Sequence, residues 1–303
     1  RVADALGFPH FTFDRRELFL ATVVEPFVDA YVAGETPSPC TACNRGVKLG
    51  ELFAIAGRLG ASAVATGHYA RIARGDDGRA TLLRGKDPAK DQSYFLYATP
   101  QASLARLVFP LGESTKAEVR AEALARRLPG ATKGESQELC FVGEGAHAYT
   151  EFVEARAKDR VRPGPIVDAE GRVVGQHDGI HRFTVGQRKG LGVALGSAAY
   201  VARIDAESGV VALGSEDDLA AVGAHLDDVV LADGRALPLR VRVRVRYRHD
   251  GAEGQIVRDD AGVRAVFDAP VRAVTRGQIA VFYEGDAVLG GGRITAAIPR
   301  APA

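Results

Sequence analysis

The chain has 303 residues and a formal net charge of only +1, with 46% hydrophobic and 25% charged side chains, ordinary proportions for a globular protein of two or three domains. No apolar run approaches the ~18 residues that a membrane span requires, so no membrane role is expected, and a nucleic-acid partner would have to be gripped by local basic patches instead of a global field. Three cysteines are too few for a disulfide framework and odd in number, which fits a reducing, cytoplasmic setting where cysteine is kept for chemistry.

In chain order, RVADALG reads as the tail of a longer helix that stops at Gly7. PHFTFD is predicted as a short strand. Asp14 is placed to cap a helical stretch through Tyr31, with a kink at Pro26 and an end at Gly34. The Pro-rich loop GETPSPCTAC precedes a helix over 44–59, whose Leu49, Leu52, Phe53, Ala56 and Leu59 follow a 3.6-residue period. ASAVAT reads as a buried strand that ends at Gly67 and His68. Alternating strand and helix implies an α/β fold with a parallel, doubly wound sheet, in which ligands bind beyond the carboxyl ends of the strands.

A charged turn (GDDGR), a strand (ATLLRG) and a polar Ala/Arg-rich helix near 116–128 come next. Residues 145–215 are Gly-rich and mixed. From about 216 onward only strands and Gly/Asp turns are expected, the pattern of a small antiparallel β-barrel. The expected division is therefore 1–145, 146–215 and 216–303.

Cys43 is expected just before the helix at Asn44, with Arg45 and Lys48 close by. The positive helix end and both cations would favour the thiolate. The bland alternative is an inert buried cysteine. Cys40 and Cys43 form a CxxC, which could also be half a zinc site or a redox pair, but no second CxxC or close Cys/His pair completes a set of four ligands. Cys140, followed by Phe141 and Val142, would pass alone as a core cysteine.

RVRVRVRYR sets arginines 240, 242, 244, 246 and 248 at period two, so one strand face would carry all five. That is either a basic ribbon for phosphates or an ordinary barrel strand with valines inward. GQRKGLG at 186–192 reads as a flexible loop able to grip phosphate, although Gly-rich loops are common. His68 could be an acid/base group or a hydrogen-bonded structural histidine.

Six segments in register resemble the tRNA 2-thiouridylase family: TPSPCTACNRGVK at 36–48, ATGHYARI at 65–72, LLRGKDPAKDQSYFLY at 82–97, ESQELCFVG at 135–143, GIHRFTVGQRKGLG at 179–192 and RAVTRGQIAVFYEGDAVLGGGRI at 272–294. The resemblance runs from Arg1 to about Ile294. It implies an N-type ATP pyrophosphatase domain of the adenine nucleotide hydrolase-like class, a central tRNA-contacting domain and the terminal barrel. It also implies that ATP, with Mg²⁺, activates the C2 oxygen of a wobble uridine, and that a cysteine persulfide then delivers sulfur.

On this resemblance Cys43 is the nucleophile and Cys140 carries the persulfide, and the two form a disulfide as sulfur leaves. Gly67 matches a backbone contact to ATP and His68 a neighbouring tRNA contact. Lys90, Asp91 and Gln92 match an RNA-contacting loop. Ser38, Pro39 and Cys40 match the segment beside the target base. Arg246, Tyr247 and Gln278 match tRNA contacts in the barrel. The implied partners are tRNA and a protein sulfur donor that loads Cys140, a cysteine desulfurase or a relay protein.

The sequence departs from the family pattern in three places. The family's phosphate loop is absent and is expected upstream of Arg1. Cys40 stands where some members have Asp, and Glu135 where Asp is common. Another ATP pyrophosphatase or a non-catalytic tRNA-binding protein remain the alternatives, and a phosphate loop upstream would decide for the enzyme.

Overall fold

In the computed structural model, which describes residues 2–132, 139–143, 145, 148–193, 198–232 and 234–301, the chain divides into two compact units. One comprises residues 1–23, 40–140 and 285–288, the other 24–39, 141–284 and 289–303.

The first unit carries the parallel pairing expected of the α/β domain. Strand β1 (Val64–Ala65) lies parallel to a later strand at Leu107–Val108. Between them, β2 (Ala70–Arg74) and β3 (Ala80–Arg84) form a hairpin. Its GDDGR turn closes through Gly75 N–H donating to Arg79 O (2.9 Å) and Gly78 at φ +75°, so the Leu107–Val108 strand is β4. PHFTFD is not a strand. Phe11 is 71% exposed, and no described strand lies alongside to take up the segment's N–H and C=O groups, so nothing holds it extended in a sheet.

The helices are legible with one modification. Asp14 Oδ1 accepts from Arg16 N–H (3.0 Å), but the cap position itself is Arg15, which makes no side-chain cap bond, so Asp14, the expected cap, acts one residue ahead of it. The kink expected at Pro26 takes the form of a π-helical turn, Leu20–Val24, before the α-helix Glu25–Val32. Proline offers no N–H and its ring crowds the carbonyl four residues back, and a widened turn relieves both problems. Gly34 ends the stretch at φ +70°. The helix predicted over 44–59 begins earlier: Pro39–Ala42 runs into a π turn, Cys43–Leu49, and on into Gly50–Arg58. Gly46 lies where a Cβ would come within 2.9 Å of Thr22 Cγ2, so the close approach of the two π turns requires glycine. The polar helix appears as Lys116–Ala125, with Thr115 and Glu118 forming a reciprocal capping box.

In the second unit, β5 (Gly164–Val167), β6 (Val173–His177), β7 (Tyr200–Asp205) and β8 (Val210–Gly214) form a mixed sheet in the order β6-β5-β8-β7. Its core holds Ile166, Phe183, Leu191, Val201, Val211 and Leu213. Strands β9 (Ala220–Leu231), β10 (Leu239–Arg244), β11 (Ala252–Asp259), β12 (Gly262–Arg272), β13 (Ile279–Glu284) and β14 (Ala287–Pro299) run antiparallel in the order β13-β10-β11-β12-β9-β14, and β13 pairs with β14. That closure makes a six-stranded barrel and removes the exposed edges. Val241, Val243, Ile256, Ala265 and Phe267 are buried in it.

Candidate active site

Cys43 is not at the start of a helix. The helix begins four residues earlier with Pro39, whose fixed φ and missing N–H suit a first turn. Cys43 therefore lies inside the π turn and is only 8% exposed. Burial pushes its thiol pKa up, Lys48 acts in the opposite direction, and an ionised Cys140 raises it further. The expected low-pKa thiolate is thus corrected for this structure, because desolvation outweighs the cation. Cys40, exposed in the first helical turn, is raised by the same causes and also by Cys43. The fold brings the three thiols within electrostatic reach of one another, and all three are free. Of the ESQELCFVG segment, residues 135–138, Glu135 among them, lie outside the described residues.

Beside Cys43, Asn44 organises a buried hydrogen-bonded chain. Its Nδ2 donates to Phe95 O (3.2 Å), which leaves Oδ1 to accept from His68 Nε2 (3.2 Å). His68 Nδ1 then accepts from Thr66 Oγ1 (2.8 Å). This order of donors specifies a neutral imidazole protonated on Nε2. Burial and then Lys48 lower the His68 pKa to about 4. His68 is 9% exposed, and its two ring nitrogens are taken up by Thr66 and Asn44, so within this structure it anchors Asn44 to the end of β1.

Gly67 lies between Thr66 and His68 at the carboxyl end of β1, as expected. A Cβ there would meet nothing closer than Leu111 Cδ1 at 3.7 Å, and its φ is not positive. Neither crowding nor conformation demands glycine, so the bare backbone is open to an approaching ligand.

Asp91, expected in an RNA-contacting loop, is 3% exposed. Its Oδ1 accepts from Gly85 and Ser93 N–H, and its Oδ2 accepts from Ser93 Oγ. That carboxylate holds the loop's own backbone and Ser93 in place. Gln92 is bonded to Tyr69 through backbone and side chain. Lys90 follows a turn closed by its own N–H on Asp87 O (3.1 Å).

In the second unit, residues 34–39 are clamped to the barrel. Gln278 Nε2 donates to Thr36 O (2.8 Å), and Thr36 N–H donates to Arg276 O (2.9 Å). Gly277, at φ +89°, would place a Cβ 2.9 Å from Glu35 Cβ. The buried Glu35 carboxylate is paired with Arg276 (2.9 Å) and Arg293 (3.1 Å). Gln278, expected as a tRNA contact, is bonded in this structure to the backbone of Thr36, two residues before Ser38. Sequence reasoning missed Glu35, and a single glutamate before a proline-rich loop gives no signal of its partners.

The arginine ribbon is shorter than predicted. Strand β10 ends at Arg244, because the Arg244 guanidinium bonds back to the carbonyls of Tyr247 and His249 and the chain turns. Arg240 pairs with Asp268 and Arg242 with Glu253 (2.8 Å), so these two read as ordinary outward strand arginines. Arg246 and Tyr247 are on the turn, half-buried, with Arg246 Nη1 donating to Arg272 O (3.5 Å).

Comparison with known proteins agrees with this architecture. Family models described as the tRNA methyl transferase HUP domain, the tRNA methyl transferase PRC-barrel domain and the aminomethyltransferase beta-barrel domain match residues 1–144, 144–215 and 227–294. The chain is 61% identical over 304 residues to the tRNA-specific 2-thiouridylase MnmA of Sorangium cellulosum, covering 98% of this chain and 78% of that protein. It is 45% identical to the enzyme of the same name from Moorella thermoacetica, covering 97% and 83%. It is 47% identical to that of Solibacter usitatus, covering 97% and 82%. With likeness of this extent along nearly all of its length, the chain belongs to the tRNA-specific 2-thiouridylase family.

Proposed function

We propose that the protein carries out ATP-dependent 2-thiolation of the wobble uridine of tRNA, with Cys140 as the persulfide carrier and Cys43 as its partner. The observation that carries this reading is the gathering of both thiols in one unit, although 96 residues separate them in the chain. ATP, when bound with Mg²⁺, supplies the chemistry that turns the C2 oxygen into a leaving group. The open backbone of Gly67 at the end of β1 fits the nucleotide's approach, as strand ends do in such sheets.

The terminal sulfur of the Cys140 persulfide forms a bond to C2 and the C2–O bond breaks. Cys43 thiolate attacks Sγ of Cys140 and breaks the sulfur–sulfur bond, whose electron pair stays with the uridine sulfur. The two cysteines end as a disulfide, and a thiol reductant returns them to the free state. Burial of Cys43 keeps it protonated until substrate arrives, and Lys48 favours the thiolate once the proton leaves.

Ser38, Pro39 and Cys40 stand beside the target base, held by Gln278 and Glu35. Lys90 and Gln92 of one loop and Arg246 and Tyr247 of the barrel turn contact tRNA. A cytoplasmic sulfur-donor protein loads Cys140, whose exposure gives such a donor access. The test is incubation with ATP, unmodified tRNA and a cysteine desulfurase supplied with cysteine as the persulfide source, followed by mass spectrometry of digested nucleosides. 2-Thiouridine that requires ATP and is lost in Cys43→Ser is expected. Its absence despite tight tRNA binding would leave a non-catalytic binder.

A further inference from the structure

The GQRKGLG loop is a built turn. Gln187 Oε1 accepts from Thr184 N–H (3.0 Å), and its Nε2 donates to Lys189 O (3.0 Å). Gly186 N–H donates to Val201 O (2.8 Å), and Val201 N–H donates to Gln187 O (2.9 Å). Leu191 is buried in the core of the mixed sheet, and Gly186, Gly190 and Gly192 all take positive φ. These bonds fix both ends of the loop and leave Arg188 and Lys189 exposed at its apex.

Most cations nearby are neutralised. Arg272 is paired with Glu216 (3.0 Å) and Arg276 with Glu35. Among the described residues, Arg188 and Lys189 have no ion-pair partner. Two exposed cations on a pinned turn present an anion with a preformed pair of donors, while water keeps their mutual repulsion small.

The base of the loop adjoins the segment that leads into Cys40. Thr36 Oγ1 donates to Thr184 Oγ1 (3.4 Å), and a Cβ on Gly186 would come 2.8 Å from Ala273 Cβ, next to Arg272. Arg246 donates to the carbonyl of that same Arg272. One stretch of surface thus carries Arg188, Lys189 and Arg246, close to the 34–39 segment.

We infer that Arg188 and Lys189 form a phosphate-binding site for the tRNA backbone, beside the nucleotides that flank the target uridine. The inference rests on the reading of the protein as a tRNA-modifying enzyme and assigns the contact to the two side chains at the apex of this loop. Phosphate contacts of this kind set register and carry no sequence information.

The test measures binding of a fluorescent, unmodified transcript of a tRNA with uridine at the wobble position, by anisotropy, across a series of salt concentrations. The double variant Arg188→Ala with Lys189→Ala is expected to bind several-fold more weakly. Its dependence of log affinity on log salt should be shallower by about 0.7–0.9 for each phosphate that is no longer neutralised. The exchanged variant Arg188→Lys with Lys189→Arg keeps both charges on the same backbone and should retain the wild-type slope. An unchanged slope and affinity in the alanine variant would overturn the inference while leaving the enzyme reading intact. A weakening in the exchanged variant as large as in the alanine variant would also overturn it, because shape and not charge would then be responsible. Absence of salt-dependent tRNA binding by the wild-type protein would overturn both together.

Discussion

The neutral His68 makes a quantitative statement about acid. Its folded pKa is about 4 against a reference value of 6.5. A group whose folded pKa lies below its unfolded value binds more protons when unfolded, so stability is full above pH 6.5 and is lost as pH falls towards 4. Integrating between those values, acidification from pH 7 to pH 5 removes about 2 kcal/mol, and from pH 7 to pH 4 about 3 kcal/mol. The perturbation is His68→Gln, which keeps a polar side chain but does not titrate. Urea unfolding of both proteins at pH 7 and pH 5, followed by circular dichroism, gives the four free energies. Other histidines with lowered pKa, His177 and His249, contribute equally to both proteins and cancel. The wild type should lose about 2 kcal/mol more than the variant over this interval. Equal losses would mean that His68 is not held neutral in the fold, and the Thr66–His68–Asn44 chain of donors would be wrong.

Three further outcomes follow from the same geometry. Cys43→Ser and Cys140→Ser should each abolish 2-thiouridine formation with tRNA affinity within about threefold of wild type, since a buried thiol and a loading site contribute little to the phosphate contacts that dominate affinity; nucleoside mass spectrometry and anisotropy read the two effects separately. Asn44→Ala strands the His68 Nε2 hydrogen and the Phe95 carbonyl and should cost about 1–3 kcal/mol for each group left unpaired, measured by urea unfolding at pH 7. Gln278→Ala removes the bond to Thr36 O and should lower kcat/KM for tRNA about tenfold or more while moving Tm by only about 2–4 °C, because one hydrogen bond holds a loop and not the barrel.

Residues that touch their neighbours in sequence were legible in advance. The polar helix near 116–128, the Gly34 and Gly78 turns and the inward valines of β10 are local choices, settled by φ preferences, helix propensity and a two-residue period. The overall class, an α/β domain followed by a mixed domain and a barrel, follows from the sum of such choices, and the six motifs in register pointed to the family. The local rules broke down where distant groups intervene. Arg240 and Arg242 are spent on Asp268 and Glu253, and Arg244 bends the chain away before Arg246, so a period of two could not show which arginines remain for RNA. The sequence around Asp91 and His68 gives no sign of the partners, reached only through folding, that bury and bond their side chains. Cys43 looked like a thiolate at a helix start, and its pKa was decided instead by how deeply the π turn carries it. The sequence by itself determined which chemical groups the protein owns and the class of fold that holds them. The tertiary structure alone decided which of those groups are free, because burial and pairing depend on residues tens to hundreds of positions away.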